Sequence, residues 1–303
     1  MLCAADATVR SIVMQGAQVR QTDTKSKEKV RQYFRKVIEE KQLPSMPVVG
    51  AKVIRMIDDP GVSVRQLVRI LSDDAGLTAR ILAASRSPFF GQRNHPKGLL
   101  EAVQVVGFRN LRNVVIASAT QELFKVKSNM ATRLWSHSLA VALGARIFSG
   151  NVRYADAEQA FLAGLLHDVG QMILMHADLA CYEQVVRQTH HDKAQLTAKE
   201  TEMYEFDHAF IGRALFDAWD IDATVAKAIG EHHDADQCND PKSLAAILLV
   251  ANYVAARCKL GFYVDPPAPD DGLLHAFGMA TDEGMDKAIV ALTEAHSAES
   301  SLF

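Results

Sequence analysis

Apolar residues along this chain recur at steps of three and four far more often than in alternation, which predicts helices and few strands. After a polar lead to about residue 24, KEKVRQYFRKVIEEKQ places Val30, Phe34, Val37 and Ile38 on one stripe. The prolines of LPSMP (43–47) end it, since neither suits a helix interior. Val48 to Ile57 reads as the next helix, stopped by Asp58-Asp59-Pro60-Gly61. Ser63 is placed to cap a helix over Val64–Leu71, and Ser72-Asp73-Asp74 to start one running through Ile81 to Ala84. A loop rich in Ser, Pro, Gly and Asn spans Ser85 to Gly98. Two further helices, Leu99–Val106 and Leu111–Phe124, hinge at Gly107.

The second half continues in the same period. The spacing predicts helices over Thr132–Phe148, Ala155–His176, Asp178–His190, Ala198–Trp219, Ala223–His233 and Pro241–Lys259. DPPAPDDG (265–272) reads as a linker, and a last helical patch spans Asp286–His296. No internal repeat is visible. The predicted architecture is all-α. It comprises a lead (1–24), a helical lobe (25–128), a second lobe (129–260), and a linker with a helical appendage (261–303).

Length and charge narrow the classes. A chain of 303 residues holds one large domain or two ordinary ones. Forty-nine per cent apolar and 23% charged residues exclude disorder as the main state. A net charge of -3 argues against wholesale nucleic-acid binding, since a domain that grips a phosphate backbone usually carries a positive excess. The basic stretch Lys25 to Lys41, with seven Lys/Arg against three Glu, reads first as the solvated face of an amphipathic helix and second as a contact for an acidic partner, anionic lipid or RNA. Cys3, Cys181, Cys238 and Cys258 form no CxxC pair, so neither a disulfide framework nor a zinc ribbon is indicated. That usage suits a reducing cytoplasm. The first twenty residues lack the basic n-region and apolar core of a signal peptide. Leu244 to Ala256, the longest apolar stretch in this reading, is interrupted by Asn252 and falls short of the ~18 residues of a membrane span. A cytoplasmic protein without a span is expected. No P-loop or dinucleotide fingerprint appears.

Candidate chemistry gathers in the second lobe. His137 shares a stripe with Leu134, Val141, Ala145 and Phe148. FLAGLLHDVGQMIL reads as a buried helix with His167 and Asp168 at its middle, and Gly164 and Gly170 leave space beside them. His208 lies on the face of Ile211, Gly212, Leu215 and Trp219. His232 lies on that of Val225, Ala228 and Ile229, with His233 one step round. Imidazoles with a carboxylate hold Fe, Mn, Ni or Zn, and in a bundle such ligands converge from several helices. An adjacent His-Asp pair lies ~100° apart on a helix and can grip different sides of a metal pair. Any one of these histidines alone reads as a core residue, but six such side chains on four helices point to a shared site. His176 faces elsewhere, His190-His191-Asp192 reads as solvated surface, and Trp135 and Trp219 read as core packing. Ser136 and His137 are adjacent and do not face each other, so they form no nucleophile–base pair.

GLLHDVG (164–170) resembles the signature of the HD superfamily of metal-dependent phosphohydrolases. LPSMPVVGAKVIRMIDDPGVSVRQLVRILSDDAGLTARILAASRSPFFG (43–91) is similar to the opening of HDOD domains, the HD-related output domains of bacterial signalling proteins. GLLEAVQVVGFRNLRNVVIASA (98–119) is similar to the next element of that family. The resemblance covers roughly residues 30–256. Ala75 replaces the family's proline, and SRSPFF its Asn-Ser-containing turn.

His137, His167, Asp168, His208, His232 and His233 fall at positions similar to ligands of the two-metal HD-GYP phosphodiesterases, where the HD aspartate bridges both metals. By that resemblance Asp168 is the catalytic position if the site is active. Three departures weigh against activity. Asn252 in LLVANYVA stands for the final aspartate ligand, and a neutral amide coordinates more weakly than a carboxylate. Gln171 stands where the HD-GYP family has a lysine that could stabilise charge on a phosphoryl group. The GYP motif is absent, and EHHDADQCND follows instead.

The resemblance thus implies a two-lobed, all-α bacterial regulator without efficient catalysis. It would act by binding an unidentified signalling protein or small ligand, on the first lobe or in the cleft between lobes. Its degenerate HD-type site could retain one or two divalent ions (Fe, Mn, Ni or Zn). The alternative is a metal-dependent phosphohydrolase cleaving a nucleotide or cyclic-dinucleotide phosphoester with a metal-activated water.

Overall fold

Capping side chains set the ends of the first helices. In the computed structural model, residues 48–86, 96–121, 127–189, 193–204, 206–219, 222–234, 238–261 and 267–299 are described, and every regular element among them is a helix. α1 (Val48–Ile57) and α2 (Val64–Leu71) have the predicted bounds. The Ser63 hydroxyl accepts from the Gln66 amide, while the Gln66 side chain accepts from the Ser63 amide, closing a capping box. Asp74 caps α3 (Ala75–Ala84) by accepting from the Leu77 amide at 2.9 Å.

α4 (Leu99–Gln121) carries the expected hinge at Gly107, whose φ of 75° and ψ of 160° are open essentially to glycine alone. α1, α2 and α3 all pack on α4 and bury Val53, Leu67, Leu71 and Ile81. Arg80 reaches the Ser118 carbonyl at 3.0 Å, and Arg112 pairs with Asp58 at 2.8 Å. The lead, the basic helix at 25–41, the LPSMP break and most of the loop after Ser85 lie outside the described residues.

This unit (44–122) is one of two compact units, and the second takes in residues 123–296. In the second unit α5 (Asn129–Ser149), capped by Ser128, packs on α6 (Ala157–Leu166) and α12 (Leu244–Arg257). α7 (Val169–Ala177) packs on α8 (Leu179–Gln188) and on α10 (His208–Trp219). α9 (Lys193–Tyr204) packs on α8, and α11 (Ala223–Glu231) joins α10 to α6 and α12. α13 (Asp271–Ala276) and α14 (Asp282–Glu299) follow.

Close approaches of helix backbones need glycine at Gly164 and Gly170. A Cβ on Gly164 would stand 2.7 Å from Ala142 Cα and from the Val141 carbonyl oxygen on α5, and one on Gly170 would overlap the His208 carbonyl. The small residues thus bring helix backbones together, beyond leaving room for side chains.

Four expectations change. The helix predicted over Ala155–His176 is two, α6 and α7, broken at His167-Asp168. The helix predicted over Ala198–Trp219 is also two, and His208 opens α10 because Asp207 caps it through the Phe210 amide. Asp271 and Gly272, assigned to a linker, begin α13 under an Asp270 cap. Across that break at His167-Asp168, Ala157–Ala177 is a stretch among the described residues long and apolar enough to cross a membrane, where the sequence reading expected none, and most of it is buried within the protein.

Candidate metal centre

The break between α6 and α7 has a local cause. His167 Nδ1 lies 2.8 Å from the Gly164 carbonyl oxygen, the acceptor that the Asp168 amide would use in an unbroken helix. The ring takes over that carbonyl, α6 stops, and Asp168 sits at φ -100°, ψ 14°, in the sparsely populated bridge region. Asp168 stands at the N-cap position of α7, yet its carboxylate makes no capping bond. It turns to the histidines instead.

The same device recurs at the end of α11. His232 Nδ1 lies 2.6 Å from the Ile229 carbonyl oxygen, again three residues back. On α5, His137 Nδ1 faces the Leu260 carbonyl oxygen at 3.2 Å. A carbonyl can only accept, so each Nδ1 carries the hydrogen and each Nε2 is directed away from it. Those Nε2 atoms converge on one carboxylate. His167 Nε2 is 3.1 Å and His137 Nε2 3.7 Å from Asp168 Oδ2, while His208 Nε2 is 3.1 Å and His232 Nε2 3.5 Å from Asp168 Oδ1.

His208 is held differently. Its Nδ1 lies 2.7 Å from Glu200 Oε2, which also accepts from the His208 backbone amide at 2.9 Å. Tyr182 donates its hydroxyl to the other oxygen of Glu200. Burial disfavours a charged His208 ring, but the Glu200 carboxylate, and then Asp168, outweigh it and push the pKa up to about 10 in the metal-free protein.

Around Asp168 the donors form two groups, His137, His167 and Asp168 on one side and Asp168, His208, His232 and His233 on the other. Within each group the donor atoms lie within 4.8 Å of one another. His137, His167, Asp168 and His208 are fully buried, His232 nearly so, and only His233 is part-exposed. His233 Nε2 and His208 Nε2 stand 2.9 Å apart, and two nitrogen lone pairs at that distance require a proton or a cation between them. Tethered imidazoles around a shared carboxylate, with carbonyls and a carboxylate behind them, are a donor set that fits a divalent transition metal.

The structure thus brings together all six side chains that helical spacing singled out. Asn252 is buried on α12, beside Ala251, which packs over Gly144 of α5. Gln171 is fully buried on α7, one turn after Asp168. His190-His191-Asp192 lies outside the described residues. Glu200 escaped the sequence reading. Its signal was the buried stripe Leu196, Glu200, Tyr204 at steps of four, an acid where an apolar residue is expected.

Comparison with known proteins agrees with this architecture. A curated relative, an uncharacterized protein of Treponema pallidum, is 25% identical over 218 residues. The match takes in 69% of this chain but only 41% of that protein, so the chain spans less than half the relative's length. An HDOD domain protein of unknown function from Geobacter sulfurreducens superposes with a TM-score of 0.70 at 23% identity, over 93% of this chain and 99% of that one. A candidate signal transduction protein from Marinobacter aquaeolei gives 0.71 at 16% identity, over 99% and 66% of the two chains. A candidate metal-dependent phosphohydrolase from Shewanella amazonensis gives 0.61 at 18% identity, over 88% and 99%. At these identities the likeness is one of fold. The model of the HDOD domain matches residues 43–235, from before α1 to just past the paired histidines that close α11, and on that match the chain belongs to the HDOD domain family.

Proposed function

We propose that this chain is a signalling regulator that acts by binding a partner protein or small ligand. Its buried centre around Asp168 holds one or two divalent ions and turns over no substrate efficiently. One observation carries the reading: five of the six donors are closed off from solvent, and His233 alone is part-exposed. A phosphoester must reach the reacting centre, whereas an ion that fastens helices together need not be reached. His137, His167 and Asp168 would hold one ion, with the neutral carboxamide of Asn252 as a further ligand. Asp168, His208, His232 and His233 would hold the other. Imidazole and carboxylate donors suit Fe, Mn, Ni or Zn.

A bound divalent ion supplies Lewis acidity and positive charge in a dry site. The chain's own groups do the rest. Gly164, Ile229 and Leu260 carbonyls fix three rings, Glu200 fixes the fourth, and Asp168 spans the two halves. Gln171 offers only a dipole to charge developing nearby. Partner docking is assigned to the 44–122 unit, the part that separates HDOD resemblance from plain HD enzymes. The cytoplasm is the compartment this reading assumes, and the free thiols of Cys181, Cys238 and Cys258 suit it.

A second reading, a metal-dependent phosphohydrolase, is favoured by the way both donor groups share Asp168, since two-metal hydrolysis uses such a pair of sites. A turnover screen separates them. Metal-loaded protein is incubated with nucleotides and cyclic dinucleotides, and products are resolved by chromatography. No turnover above the metal-only control supports the regulator. Sustained multiple turnovers that vanish in Asp168→Asn would replace it with the enzyme.

A further inference from the structure

The two donor groups around Asp168 differ in what stands behind their ligands. His137, His167 and His232 give their Nδ1 hydrogens to backbone carbonyls. His208 gives its Nδ1 hydrogen to a carboxylate, Glu200, at 2.7 Å. Glu200 is itself fully buried and held on three sides, by the His208 ring, the His208 amide and the Tyr182 hydroxyl.

A carboxylate behind an imidazole raises the basicity of the opposite nitrogen more than a neutral carbonyl does, and it fixes the ring's plane. It also adds charge. With Asp168, the half containing His208 meets a divalent ion with two negative charges, which together neutralise it. The half containing His137 and His167 has Asp168 alone. Burial magnifies this difference, because an uncompensated charge in a dry site is expensive. The donor counts run the same way, three histidines with Asp168 against two.

We infer that the centre is asymmetric: the half formed by Asp168, His208, His232 and His233 is the tight one and fills first, and Glu200 is its positioning residue. This rests on the metal-binding reading above and names which half of the centre governs it. Tyr182, from α8, positions Glu200 in turn, so residues on α8 and α9 control an ion held at the ends of α7, α10 and α11. The bland alternative is that Glu200 is a satisfied core carboxylate whose loss loosens the whole bundle.

The two roles separate in a stepwise titration. Metal-free full-length protein is titrated with Zn²⁺ by calorimetry, with a competing chelator to reach the tight step, and the same is done for Glu200→Gln, Tyr182→Phe and His167→Ala. Wild type takes up zinc in two steps. Glu200→Gln weakens the tight step about 10- to 100-fold and leaves the weak step within about twofold. Tyr182→Phe shifts the tight step the same way by a smaller factor, and it carries the test if Glu200→Gln does not fold by circular dichroism. His167→Ala abolishes the weak step and retains the tight one. Equal weakening of both steps by Glu200→Gln, no effect on either, or loss of the tight step in His167→Ala would overturn the asymmetry while leaving metal binding intact. Wild type that takes up no zinc would overturn the metal reading itself, and this inference with it.

Discussion

His167 Nδ1 donates to the carbonyl of Gly164, three residues earlier, at 2.8 Å. That bond ends α6, sets Asp168 outside regular helix and turns His167 Nε2 toward the Asp168 carboxylate. Gly164 serves twice, since the absence of its side chain also lets α6 approach the α5 backbone at Val141 and Ala142.

A methyl group at 164 therefore has nowhere to go. Gly164→Ala is expected to destabilise the second unit by about 1–3 kcal/mol or more, because the clash is with backbone and not with a flexible side-chain tip. Gly98, with open space around its would-be Cβ, is the matched control, and Gly98→Ala should leave the unfolding midpoint in place. Urea unfolding followed by circular dichroism reads both. An unchanged midpoint in Gly164→Ala would contradict the close approach.

Gly107 isolates a different cost. Nothing lies within 4 Å of a Cβ there, so Gly107→Ala is opposed by its φ of 75° and ψ of 160° alone. About 1–3 kcal/mol of local destabilisation is expected. Hydrogen exchange should quicken in Leu99–Gln121 and stay as it was in the second unit. Uniform protection in the variant would show that the hinge conformation is not needed.

Stability should depend on pH through His208. Its pKa is pushed up to about 10 in the folded, metal-free protein, against 6.5 for an ordinary histidine. Above about pH 6.5 the folded chain thus holds a proton that the unfolded chain has released, and the stabilisation is lost as pH rises toward about 10. The urea midpoint of metal-free protein should fall between about pH 7 and about pH 9.5, and His208→Gln should flatten the fall. A metal ligand must give up its Nε2 proton, so uptake near pH 8 should release about one proton, read by calorimetry in buffers of different ionisation enthalpy.

Much of this was legible because it is local. Ser63 and Asp74 announce their helices, Gly107 its hinge, and the stripes through His137, His208 and His232 aim those rings inward. The breaks at His167-Asp168 and before His208 were not. FLAGLLHDVGQMIL is apolar nearly all round apart from His167, Asp168 and Gln171, and its interruption comes from a side chain competing for a main-chain carbonyl, which leaves no mark on the hydrophobic period. Glu200 was hidden for a related reason. An acid on a buried stripe has meaning only once its partner is known, and His208 lies on the next helix, eight residues away.

Asn252 offers a gain-of-function test of the ligand set. If its carboxamide is a ligand, Asn252→Asp supplies the missing carboxylate and tightens the weaker binding step about tenfold. Without metal the same change buries an uncompensated charge and lowers the melting temperature. Differential scanning calorimetry with and without zinc checks both signs in one experiment. A variant equally destabilised in both conditions would remove Asn252 from the centre.

The side chains around Asp168 are proposed above to form a metal centre. The most direct measurement is the metal content of protein purified without a histidine tag, by inductively coupled plasma mass spectrometry, beside His167→Ala and Asp168→Ala. Wild type is expected to carry about one to two equivalents of Fe, Mn, Ni or Zn, reduced in His167→Ala and abolished in Asp168→Ala. Wild type without stoichiometric metal, and with none taken up on addition, would contradict the claim and leave these histidines as a hydrogen-bonded core.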